Sequence, residues 1–107
     1  MLDGISPVVG PDLLAVLSQM GHGDEIVLAD AHFPGHSCNE TVLRADGIHI
    51  PALLDGILPL FPLDPYVDSP IAMMSAVPGD DLDPTVEERY RAAIDLHRPG
   101  TAAIERV

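Results

Sequence analysis

An α/β fold with a largely parallel sheet is predicted by three features of this 107-residue sequence. Segments with helical apolar spacing alternate with short apolar runs, the pattern of strands joined by helical crossovers. One of those runs, Ile71 to Val77, carries no charge, as expected of a strand buried on both faces. Prolines and glycines fall at the boundaries between the segments, where they start and stop elements.

Taken in order, Pro11 suits the first position of a helix, and Gly21 lies just past its end. Leu13, Val16, Leu17 and Met20 recur on one face between them, so a helix is expected over about 11–20. Glu25 to Ala29, with the β-branched pair Ile26 and Val27, reads as a short buried strand. A Pro-Gly loop follows to Glu40. Thr41 to Arg44 is a second short strand, closed by the turn pair Asp46-Gly47. Pro51 opens a helix carrying Leu53, Leu54, Ile57 and Leu58, which Pro59 and Pro62 end. Leu63 to Pro70 is loop, Ile71 to Val77 strand, and Pro78 to Asp81 a turn. Asp83 caps a helix with Pro84 at its first position. Val86, Tyr90, Ala93, Ile94 and His97 form its inner face, and Glu87 stands one turn before Arg91 as an ion-pair partner. Pro99-Gly100 stops it, and Ala102 to Val107 begins another strand.

Length and composition predict one domain over 1–107. Apolar residues make up 47%, against disorder. The formal net charge is -12, and Arg44, Arg89, Arg91, Arg98 and Arg106 are the only basic residues besides histidine. Such a surface repels phosphate backbones and anionic lipid, which disfavours nucleic-acid and membrane partners and suits a neutral ligand. Cys38 is alone, so no internal disulfide forms. No basic segment precedes an apolar run at the start, and Ile48 to Leu63 is broken by Asp55 and three prolines. A cytoplasmic protein is expected.

The stretch Gly21 to Ser37 concentrates the chemistry. It holds His22, His32 and His36, three of the five histidines, and Asp30 at the carboxyl end of the expected strand. Open α/β sheets bind ligands at that end. The plainer alternative is a helix-to-strand turn followed by an ordinary loop. Asp30, His32, His36 and Cys38 also read as metal ligands, but Pro34-Gly35 disfavours the helix that would bring His32 and His36 to one ion. No metal is expected. Cys38 has no nucleophile motif around it, Met73-Met74 reads as core, and Asp80, Asp81 and Asp83 lack the alternate spacing of a calcium loop. His49 and His97 read as structural or exposed.

The residues Met20-Gly21-His22-Gly23-Asp24-Glu25-Ile26 and Asp30-Ala31-His32-Phe33-Pro34-Gly35-His36-Ser37 resemble the RbsD/FucU family of sugar mutarotases, on its fucose side. Arg44-Ala45-Asp46-Gly47, Leu60-Phe61, Leu63-Asp64, Met73-Met74 and Glu88-Arg89-Tyr90-Arg91 extend the resemblance over essentially the whole chain. The sister branch, the D-ribose pyranases, lacks the His32 to His36 pattern.

The resemblance implies a three-layer α/β/α fold and a homo-oligomer, ring-shaped, with sites near subunit contacts. It also implies interconversion of the α and β anomers of a free sugar, foremost L-fucose and less so D-ribose, without cofactor. By the same resemblance His22 is the proton donor, Asp30 and Arg106 bind sugar, and His32 and His36 are secondary candidates. One departure stands out: the family's C-terminal segment, with a sugar-contacting tyrosine and asparagine, has no match here. The alternatives are a sugar-binding or transport-accessory protein without catalysis, and an inactive, shortened family member.

Histidine suits such a reaction because it both gives and takes protons near neutral pH. Asp30 would accept hydrogen bonds from sugar hydroxyls, and Arg106 would donate several from a fixed fork. A fully extended strand over five residues separates its ends by roughly 16 Å. One monosaccharide cannot bridge that span. Either Gly21 and Gly23 fold the loop back, or His22 and Asp30 meet across two chains.

Overall fold

The structure, a computed structural model, describes residues 2–30, 32–76, 78–79 and 83–107. Its elements run α1 (Pro11–Gln19), α2 (Gly35–Cys38), α3 (Ile50–Ile57), β1 (Ala72–Met73), α4 (Pro84–His97) and β2 (Glu105–Arg106). The strands β1 and β2 pair in parallel, with Ala72 opposite Glu105 and Met73 opposite Arg106. The helix α4 provides the crossover that a parallel pair requires. Backbone bonds from Glu105 N to Ile71 O (3.0 Å), Val107 N to Met73 O (2.9 Å) and Ser75 N to Val107 O (2.8 Å) extend the pairing on either side.

All three long helices carry a proline in the first turn (Pro11, Pro51 and Pro84), where the missing N–H costs nothing and the fixed φ is already helical. The expected apolar faces are the ones turned inward. On α1, Leu13, Val16 and Leu17 are half-buried; on α4, Ala93 and Ile94 are buried, with Val86, Tyr90 and His97 half-buried. Val9, Leu53 and Ile57 form the centre of one core, onto which Leu13, Leu14, Leu17, Leu28 and Phe61 pack. Gly56 makes that packing possible: a Cβ there would collide with Val8 Cγ2. Between α3 and α4, His97 Nε2 meets Asp55 Oδ1 at 3.1 Å, and Arg98 Nε donates to Leu58 O at 3.0 Å.

Asp83 is the cap the sequence announces. Its carboxylate accepts from Thr85 N (2.9 Å) and Thr85 Oγ1 (2.7 Å). Those bonds, the hydroxyl's first, hold the Asp83 carboxyl below its ordinary value. A carboxylate with a lowered folded pKa stabilises the fold above its ordinary value, and the contribution disappears as pH falls through the lowered one. Asp83→Ala is therefore expected to lower Tm by a few degrees at pH 7. In thermal melts the gap from the parent chain should narrow as pH falls below the ordinary carboxylate range.

Several expected features differ. Among the described residues no strand ladder forms over Glu25–Ala29 or Thr41–Arg44. In the first, Ile26 and Leu28 are half-buried while Val27 is 71% exposed. The run is apolar enough to lie on the core by one side, but no neighbouring strand takes its N–H and C=O groups. The strand expected over Ile71 to Val77 shortens to Ala72–Met73, with Ala72 and Met74 exposed, so it is not buried on both faces. Val77, Asp80 and Asp81 lie outside the described residues. Gly21 does lie just past the end of α1, whose last cap is an extended Met20, and the left-handed residue of the turn that follows is Gly23 (φ 86°). Glu87 pairs with Arg106 and not with Arg91, which bonds Asp95 at 2.9 Å and the carbonyls of Thr101 and Ala102. A tertiary partner displaces the local one.

Candidate functional site

His22 stands in the turn that follows α1. Asp24 N donates to Gly21 O (3.1 Å), and the Asp24 carboxylate accepts from Gly21 N (2.8 Å), closing the turn around it. Gly23 permits this geometry by its positive φ. The imidazole is thereby presented outward, with 68% of the side chain exposed.

Two residues from a distant loop receive the ring. His22 Nδ1 lies 3.2 Å from Asp64 Oδ1, and the Tyr66 ring approaches edge-on at 4.9 Å between centroids. Asp64 is the less exposed partner, at 22%. Its Oδ1 also accepts from Tyr66 N at 2.9 Å, an Asx turn that Pro65 helps to fix. The Tyr66 N–H is the main reason the Asp64 carboxyl is held below its ordinary value, with His22 adding to the effect against partial desolvation. Asp64 is thus an ionised, acceptor-only group at neutral pH. Neither Asp64 nor Tyr66 was among the expected site residues. The visible trace of them was a carboxylate two residues before an aromatic, inside a loop otherwise read as a spacer.

Asp30 caps its own turn: its carboxylate accepts from His32 N at 2.9 Å, and its carbonyl from Phe33 N at 3.2 Å. One carboxylate oxygen is thereby committed locally. His32 and His36 are exposed, His36 within the single turn α2 that forms despite Pro34-Gly35, which become its cap and first residue. Because α2 begins at Gly35, His32 falls outside it. Cys38 is exposed. Among the described residues, no three His, Cys, Asp or Glu side chains converge as metal ligands would.

Arg106, in β2, donates from Nη2 to Glu87 and from Nη1 to Met74 O at 3.3 Å. This orients the fork but occupies part of it. No hydrogen bond or ion pair among the described residues joins His22, Asp30 and Arg106 to one another. A shallow cavity of about 470 Å³ opens against Asp64, Asp68, His97, Arg98 and Thr101, and none of the three expected site residues lines it. No described helix is long and apolar enough to cross a membrane.

Comparison with known proteins identifies the chain's relatives. The profile of the RbsD / FucU transport protein family matches residues 3–107. An L-fucose mutarotase of Actinobacillus pleuropneumoniae serotype 5b (strain L20) is 60% identical over 107 residues, covering 100% of this chain and 74% of that protein. The L-fucose mutarotase of Haemophilus influenzae (strain 86-028NP) is 57% identical over 109 residues, covering 99% of this chain and 76% of its own. Among solved structures, the fucose mutarotase from Streptococcus pneumoniae, in complex with L-fucose, superposes with a TM-score of 0.87. It is 48% identical over 99% of this chain and 76% of that one. The FucU structure from Bifidobacterium longum gives 0.90 at 41% identity, over 97% of this chain and 75% of its own. The expected α/β architecture is the one these structures share with this chain.

Proposed function

Because this chain belongs to the RbsD/FucU family, we propose that it is a sugar mutarotase whose substrate is L-fucose. The observation that carries this reading is 60% identity to an L-fucose mutarotase across the full length of this chain. The outward-facing imidazole of His22 supplies chemistry of the right kind.

Mutarotation opens the sugar's hemiacetal and recloses it on the other face of the aldehyde. The bond between the anomeric carbon and the ring oxygen breaks as the anomeric C=O forms. The ring oxygen gains a proton, and the anomeric hydroxyl loses one to water. Nothing is oxidised or reduced, so proton transfer is the whole demand. In this reading His22 in its doubly protonated form delivers a proton to the ring oxygen, which leaves the imidazole neutral, and it recovers that proton on reclosure. Asp30 accepts from sugar hydroxyls through its uncommitted lone pairs, and Arg106 donates from the part of its fork that Glu87 and Met74 leave open. His32 and His36, exposed beside Asp30, are secondary contacts. We propose further that the chain works in the cytoplasm as a homo-oligomer, in which His22 of one chain and Asp30 of its neighbour face the same sugar.

Saturation-transfer NMR on the two anomeric protons of L-fucose tests the activity. The protein should raise the exchange rate above that of buffer, and act more weakly on D-ribose. Binding of L-fucose with exchange left at the buffer rate would instead identify a non-catalytic sugar-binding protein.

A further inference from the structure

We propose that Asp64 is a positioning residue for His22: by accepting the Nδ1–H, it fixes the neutral ring in one tautomer and leaves Nε2 as the nitrogen that exchanges a proton with the sugar. The proposal rests on the reading of His22 as the proton-transferring group. It adds a residue from a loop 42 positions away to the machinery.

The geometry is specific. The 3.2 Å contact joins Nδ1, not Nε2, to a carboxylate oxygen that has no proton to give. When histidine is neutral, the nitrogen facing such an acceptor keeps the hydrogen, and the other nitrogen becomes the lone pair. The carboxylate does not drift, because the same Oδ1 accepts from Tyr66 N at 2.9 Å. The Tyr66 ring, edge-on to the imidazole, closes one further side and limits its rotation. Energetics favour this role over a stabilising one. The histidine is 68% exposed, and exposed ion pairs contribute little to folding. A pair that adds little stability still removes torsional and tautomeric freedom from a reacting group.

The role separates from a merely structural one by the nitrogen-15 spectrum of His22. In the parent chain, long-range correlations should show the neutral ring protonated at Nδ1. Asp64→Ala removes the acceptor. The ring should then move towards the Nε2–H tautomer that free imidazole side chains prefer, and kcat for fucose anomer exchange should fall by about 10–100-fold. KM should stay within about twofold. Asp64→Asn keeps an acceptor oxygen in place and should retain the Nδ1–H tautomer and most of kcat. If the alanine chain does not fold, Asp64→Ser replaces it. Its hydroxyl can still hold the Tyr66 N–H but is too short to reach the ring. An unchanged tautomer in the folded alanine or serine variant overturns the proposal, as does a loss confined to KM. A parent chain without anomer exchange would count against the functional reading instead, and the tautomer measurement would still decide whether Asp64 sets the ring.

Discussion

His22→Ala is expected to lower fucose anomer exchange by about 10²–10⁴-fold, the contribution of one positioned acid or base. The fold should survive the change. The side chain is largely exposed, its partners are an exposed tyrosine edge and a carboxylate already held by Tyr66 N, and the turn is closed by Asp24. Thermal melting should therefore be nearly unaffected while turnover collapses. A variant retaining most of the parent rate would remove His22 from the reaction. The same variant also reports on assembly. Mixed with Asp30→Ala subunits, it should regain part of the parent activity if each site draws one residue from each of two chains. Confirmed mixed oligomers that remain inactive would place both residues in a site served by one chain.

Ile94→Ala is expected to have the largest effect on stability, roughly 2–5 kcal/mol. Ile94 is 1% exposed, the most completely buried large side chain described, and it sits on the inner face of α4. Truncation deletes three carbons where α4 packs against α3, and the surroundings cannot collapse freely. His97 is tied to Asp55 there, and Arg98 to the Leu58 carbonyl. In a domain of this size such a loss lowers Tm by more than about 10 °C. It is a large share of the ~5–15 kcal/mol that holds a native domain together. A shift of only a few degrees would show that the α3–α4 contact is not the main support of the fold.

The three long helices were legible because their signals are local, whereas the single turn α2 lay in a stretch read as a Pro-Gly loop. Asp83-Pro84 states a start, and Ala93, Ile94 and His97 state a face, and both can be read within a few turns of chain. The apolar run at Glu25–Ala29 was legible as a segment that rests on the core, but not as an unpaired one. A strand's partner lies elsewhere in the sequence, and composition does not name it. The same limit governs the site. His22 and Asp30 stand out by residue type and neighbours, whereas Asp64 and Tyr66 reach His22 only because the fold closes a loop. Glu87 shows the limit from the other side. Helical spacing nominates Arg91, four residues on, and tertiary structure delivers Arg106.

The edge-on contact between Tyr66 and His22 also makes the site optically visible. The chain has no tryptophan and two tyrosines, so its ultraviolet emission comes from Tyr66 and Tyr90 alone. Tyr90 is half-buried on α4, while Tyr66 is 81% exposed and lies 4.9 Å from the imidazole. Phenol emission responds to the groups packed against the ring and to loss of surrounding water. If the proposed sugar site includes His22, L-fucose is expected to change the emission of Tyr66, with Tyr90 as the steady background. Such a change would report occupancy without a label and without coupling to a second enzyme.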